Sequence, residues 1–176
     1  MRITISGPPG SGTTTLALFL VEKHAFDFIS AGEVFRTLAA EHDMTLAEFG
    51  NLCETDPAFD RLIDERQKEM GQARDNIVIE GRLAGHMIEN ADLRIWVNAS
   101  VECRAGRVSD REELSYEEAY IETAEREACE IGRYMKYYQI DITDLSLYDL
   151  VVSSEAYGKE ELATIVDCAI CQIPSE

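Results

Sequence analysis

The sequence predicts a doubly wound α/β domain: a five-stranded parallel sheet with helices on both faces. Two observations carry that prediction. Five short, largely apolar runs, at 2–6, 27–30, 77–79, 94–98 and 150–153, alternate with longer helical patterns. Strands of that kind, separated by helices, are joined by crossovers and buried on both sides. In addition, a glycine-rich turn, Gly7-Pro8-Pro9-Gly10-Ser11-Gly12-Thr13-Thr14, follows the first run directly. No repeat, linker or low-complexity segment interrupts the pattern, so residues 1–176 are expected to form one domain.

After the turn, residues 14–25 are rich in Leu, Ala, Phe and Val and read as a helix. The 27–30 strand leads through Ala31-Gly32 into a helix over about 33–42. Thr45-x-x-Glu48 is a capping box, and Asp56-Pro57 pairs an N-cap with proline at the first helical position. The helix from 57 sets Phe59, Leu62 and Ile63 on an apolar side and reaches Met70. A strand over 77–79 ends in Glu80-Gly81-Arg82, and the 94–98 strand precedes a helix over 101–108. Ser115-x-x-Glu118 opens a long helix to about 138, with Tyr116, Ala119, Tyr120, Ala124, Ala128 and Ile131 on one face. A last helix runs from Gly158 to about 173. The largest inserts between strands, 32–74 and 104–142, are read as mobile subregions around a core of 1–31, 75–103 and 145–176.

The net charge is −18, from 34 acidic against 16 basic side chains. That balance excludes a nucleic-acid-binding face and favours solubility. No apolar run is long enough to span a bilayer, and the chain enters its first strand with no signal-peptide pattern; a cytoplasmic protein is expected. Five dispersed cysteines suggest reduced thiols, and Cys168-x-x-Cys171 reads as helix-face residues facing inward. Nothing calls for a partner chain, so a monomer is expected. Lysines number four and arginines twelve, which makes grouped arginines candidate phosphate ligands.

A strand, a glycine-rich loop and a helix together make a phosphate cradle, lined by backbone N–H groups and the positive end of the helix. Gly7 and Gly12 keep the spacing Gly-x-x-x-x-Gly, and Thr14 stands where a hydroxyl binds Mg²⁺. The pattern asks for Lys at 13, where this chain has Thr13. In a parallel sheet the residues past each strand gather at one edge, which brings Ser30-Ala31-Gly32 and Glu80-Gly81-Arg82 beside the loop, with Arg36 within reach. Arg104, Arg107, Arg111, Arg126 and Arg133 read as a lid: two helices hinged at 109–114 that carry positive charge over a transferring phosphoryl group.

Gly7-Pro-Pro-Gly-Ser-Gly12, Ser30-Ala-Gly-Glu-Val-Phe-Arg36, Glu80-Gly-Arg-Leu-Ala-Gly85 and Arg133-Tyr-Met-Lys-Tyr-Tyr-Gln-Ile-Asp141 resemble the archaeal cytidylate kinases, as does Asp144-Leu-Ser-Leu-Tyr-Asp149. The resemblance implies a P-loop nucleoside monophosphate kinase of pyrimidine nucleotide metabolism that moves the γ-phosphoryl group of ATP to cytidine monophosphate, and to deoxycytidine monophosphate, with Mg²⁺. It makes 32–74 a monophosphate-binding insert and 104–142 a lid. It places Gly7, Pro8, Pro9, Gly10, Ser11, Gly12, Thr13, Thr14 and Thr15 on the ATP phosphates, and Thr14 and Glu80 at the metal. Arg36 and Arg82 would grip the acceptor phosphate, with Ser30, Gly32 and Gly81 against the nucleotide and Arg107, Arg111, Arg126 and Arg133 as lid arginines. Two rival readings remain at this point. One is a kinase for another acceptor such as shikimate, gluconate or a different nucleotide, and the other is a nucleotide-binding switch without catalysis, although no Asn-Lys-x-Asp guanine-reading motif is present.

Overall fold

The computed structural model describes residues 1–45, 48–49, 52–53 and 56–174. The element order is β1 (Arg2–Ser6), α1 (Thr13–His24), β2 (Asp27–Ser30), α2 (Ala31–Glu41), α3 (Pro57–Gln72), β3 (Ile77–Glu80), α4 (Ala84–Met87), β4 (Leu93–Asn98), α5 (Val101–Glu112), α6 (Tyr116–Tyr138), β5 (Leu150–Ser153) and α7 (Lys159–Ile170). All five strands pair in parallel, in the order β2-β3-β1-β4-β5. The central strand is therefore β1, and the chain winds from it to one edge before crossing to the other.

Alternation along the strands divides the core into two layers. On one face Ile3, Ile5, Val78, Ile95, Val97 and Val152 pack under α1 and α7, against Leu16, Leu20, Leu162 and Val166. On the other, Ile29, Ile77 and Ile79 meet α2, α3 and α4 through Val34, Leu38, Ile63 and Ile88. Helices thus cover both faces, as the sequence predicts. A smaller cluster of Leu83, Tyr134 and Ile142 seats α6 against the segment that follows β3.

Several boundaries differ from the expected ones for identifiable reasons. Ser30 caps α2 directly, its Oγ accepting from the Glu33 N–H at 3.0 Å, so Ala31 and Gly32 are helical rather than a turn. The expected hinge at 109–114 shrinks to the three residues 113–115, because α5 continues to Glu112 before Glu113 turns left-handed at φ 57°. Ser109 belongs to α5, and its hydroxyl donates to the Leu114 carbonyl at 2.8 Å. The long helix opens at the expected capping box, but its inward stripe is Ala119, Thr123, Glu130 and Tyr134, and Ala128 faces solvent. That stripe is polar at its centre, and an apolar-periodicity reading therefore misplaced it. Cys168 and Cys171 are exposed, against the expectation that they face inward: α7 turns Leu162, Ala163, Val166 and Ile170 to the sheet instead. The Thr45–Glu48 capping box is formed, while the short helix it was expected to open falls partly outside the described residues.

Candidate active site

The parallel register aligns the strand ends that build the site: Ile5 of β1 lies opposite Glu80 of β3, and Glu80 opposite Ser30 of β2. From this edge the Gly7–Gly12 loop climbs into α1. Gly12, the N-cap, has φ 94°, and Gly10 has φ 80°, both left-handed values that an L side chain would strain. A Cβ on Gly7 would collide with the Val97 carbonyl of the neighbouring strand end.

Donors from outside the loop hold its carbonyls. Arg82 Nη1 donates to the Gly7 carbonyl, and Arg104 Nη1 to that of Pro9 at 3.2 Å. Arg107 Nη1 donates to Gly10 and Ser11 at 3.2 and 3.3 Å, and Ser154 Oγ to Ser11 at 2.6 Å. Pinning the carbonyls outward leaves the concave side to N–H groups, which is what an anion cradle requires. Ser11 Oγ is buried without a hydrogen-bond partner among the described residues. Thr13, where a lysine is usual, is buried at the head of α1, and its hydroxyl donates to Glu80 Oε1 at 2.8 Å.

Two cavities flank this bond. The first, of about 420 Å³, is lined by the 10–15 loop and helix start, Arg107, Asp110, Arg111, Ser154, Tyr157 and Lys159. The second, of about 910 Å³, lies between α2, α3 and α6, with Gly32, Asp64, Glu80, Gly81, Arg82, Arg126, Glu130, Arg133, Tyr134 and Tyr137 in its wall. Thr13 lines the first and Glu80 the second, so the two cavities meet at their hydrogen bond.

The arginines read as one lid are thereby divided. Arg107 is committed to loop carbonyls and to Ser154, and Arg111 faces the first cavity, mostly exposed and paired with Glu112 at 2.6 Å. Arg126 and Arg133 line the second cavity, the latter with its guanidinium 5.4 Å from the centre of the Tyr134 ring. Arg104 is 2% exposed, braces Ala99 and Pro9, and pairs with Glu127 at 2.8 Å. In the second cavity Glu130, 6% exposed, holds both Arg82 at 2.7 Å and Arg126 at 3.1 Å. Burial, with the Glu130 and Asp64 carboxylates nearby, pushes the Tyr134 hydroxyl well above the usual phenol value, which keeps it a donor.

Of the other expected site residues, Gly32 and Gly81 line the second cavity. Ser30 spends its hydroxyl on the α2 cap, and Arg36 is exposed on α2 beside Gly32, its Nη1 3.7 Å from where a Gly32 Cβ would be. Pro8 and Pro9 face away from the cradle, toward Trp96 and Glu130. Sequence reasoning missed Glu127, Glu130, Asp64, Tyr134 and Ser154. The i, i+4 pair Arg126–Glu130 was the one local signal available for them.

The donor set also bears on a metal. Thr14 is exposed at the first cavity, and the Glu80 carboxylate, which accepts from Thr13, lines the second. Among the described residues no group of three or more His, Cys, Asp or Glu could cage an ion. One hydroxyl and one carboxylate fit Mg²⁺, which keeps most of its water and takes few protein oxygens beside phosphate.

Comparison with known proteins agrees with this geometry. Residues 2–156 match the model of the cytidylate kinase-like family. A curated cytidylate kinase of Methanocorpusculum labreanum is 57% identical over 173 residues, covering 98% of each chain. One from Methanoculleus marisnigri is 59% identical over 170 residues, 97% of this chain and 94% of the relative. Among solved structures, a shikimate kinase from Acinetobacter baumannii superposes with TM-score 0.67 at 13% identity, over 99% of this chain and 95% of that one. A gluconokinase from Sinorhizobium meliloti does so with TM-score 0.63 at 11% identity, over 97% and 91%. These last likenesses concern the fold alone. By its sequence across both cavities and the loop between them, the chain belongs to the cytidylate kinase-like family.

Proposed function

We propose that the protein transfers the γ-phosphoryl group of ATP to cytidine monophosphate, giving ADP and CDP, and that deoxycytidine monophosphate is also an acceptor. The observation that carries this is the pair of cavities meeting at the Thr13–Glu80 bond, one against the phosphate cradle and the other walled by arginines. The near full-length identity to cytidylate kinases supports the acceptor over shikimate or gluconate, whose kinases share only the fold.

In this reading ATP lies in the first cavity with its phosphates in the 7–15 cradle. The acceptor phosphate lies in the second, facing Arg82 and Arg126, with Arg133 beside it. Phosphoryl transfer asks the protein for alignment and for cations around the moving group, with little covalent help. The loop N–H groups and the α1 terminus hold the donor phosphates, and Arg111 from one side and Arg126 and Arg133 from the other supply charge. Thr13 brings a dipole where lysine would bring a full charge, and these arginines make up the difference. Thr14 and Glu80 would hold Mg²⁺, which when bound neutralises phosphate charge. Segments 32–74 and 104–142 act as the monophosphate-binding insert and the lid, in a monomeric cytoplasmic enzyme.

The test is a coupled ADP-release assay with ATP and Mg²⁺, offering CMP, dCMP, UMP, AMP and shikimate in parallel. Turnover is expected with CMP and dCMP. Turnover confined to another acceptor would overturn the assignment, and nucleotide binding without any turnover would favour a catalytically silent switch.

A further inference from the structure

We propose that Asp64 reads the base of the acceptor, its carboxylate accepting from the 4-amino group of cytosine and repelling the 4-oxo group of uracil. This rests on the second cavity being the acceptor site.

Helix α6 serves as a ruler along that cavity. At one end Glu130 holds Arg82 and Arg126 beside the loop, which fixes the phosphate end. Eight residues further, about 12 Å of helix at 1.5 Å per residue, Tyr138 donates to Asp64 Oδ2 at 2.6 Å. An extended nucleoside monophosphate has this reach from phosphate to base edge. Between the two ends the wall is formed by Tyr134, Tyr137, Phe35, Ile63 and Cys53, apolar and aromatic surface suited to a flat ring.

Among the described residues the cavity wall holds three carboxylates, at Asp64, Glu80 and Glu130, and position sorts them. Glu80 meets Thr13 at the loop, Glu130 holds two arginines at the phosphate end, and Asp64 accepts from Tyr138. Asp64 stands at the distal end, where a base edge falls. Cytosine offers an amino donor at position 4, which an ionised carboxylate accepts; uracil offers a carbonyl there, and two acceptors face each other with no proton between them. A nearby donor, the Tyr134 hydroxyl, suits the N3 acceptor of cytosine.

The alternative is that Asp64 only ties α3 to α6 through Tyr138, and Asp64→Asn separates the two roles. The asparagine oxygen still accepts from Tyr138 while its amide NH₂ turns a donor to the base. The preference for CMP over UMP in kcat/KM is expected to fall at least tenfold, with UMP turnover rising and KM for ATP unchanged. Tyr138→Phe cuts the tie, leaves the carboxylate and should keep the preference. On the wild-type enzyme, independent of any folding defect, the 2-pyrimidinone nucleotide lacking the 4-amino group should be at least tenfold poorer than CMP. A CMP:UMP ratio within twofold of wild type in Asp64→Asn, a parallel loss for both acceptors, an equal ratio collapse in Tyr138→Phe, or full use of the pyrimidinone would each overturn the proposal. Wild-type turnover of UMP as readily as CMP would instead overturn the acceptor assignment on which it rests.

Discussion

The Thr13 hydroxyl is one oxygen doing the work of joining two elements 67 residues apart, and its loss can be weighed. Thr13→Val keeps the shape and removes the donor, leaving the Glu80 carboxylate, 9% exposed, short of one hydrogen bond. An unsatisfied buried acceptor costs about 1–3 kcal/mol, so the denaturant midpoint should fall accordingly, and Thr13→Ser should recover most of the loss. A midpoint unchanged in Thr13→Val would mean that water replaces the hydroxyl. The motif pattern flagged Thr13 as the departure from the expected lysine. It could not show the partner, because a pairing across the sheet edge is set by strand register and not by spacing along the chain.

At the scale of elements, α5 and α6 act through arginines of two kinds, which burial separates. Arg104 is 3% exposed in its side chain and fills three roles at once, whereas Arg111 is 64% exposed and pairs with its neighbour. Arg104→Met strips donors from the Ala99 and Pro9 carbonyls and should lower unfolding stability on the order of 3 kcal/mol. Arg111→Met should change stability by less than about 0.5 kcal/mol yet lower kcat on the order of 10²-fold. Denaturant unfolding and steady-state rates on the two variants check this; a stable Arg104→Met or a fully active Arg111→Met would contradict it. The sequence placed both on one helix face and so read them alike. Five strands, their parallel pairing and the loop were legible because strand apolarity and glycine spacing are local; the strand order was not. Nor was the inward face of α6, since its buried Glu130 is compensated in part by Arg82, 48 residues away, besides the local Arg126.

Over the whole molecule the excess of carboxylates sets the response to salt. With 34 acidic and 16 basic side chains, repulsion outnumbers attraction among the surface charges. Raising ionic strength from about 0.01 M to 0.15 M shortens the screening length from about 30 to about 8 Å, and this should relieve the repulsion and raise Tm. Exposed pairs such as Lys68–Glu89 lose strength too, but solvent already screens them and each contributes little. A Tm that falls on adding salt would show that the pairs prevail. The meeting of the two cavities at Thr13 and Glu80 has a kinetic meaning of its own. On the proposed reading each nucleotide would enter its own cavity, neither would have to leave for the other to arrive, and the ternary complex is expected to assemble in either order. By the same geometry, two nucleosides joined through one chain of phosphates would occupy both chambers as a single ligand, the second half docking at the high effective concentration that tethering provides.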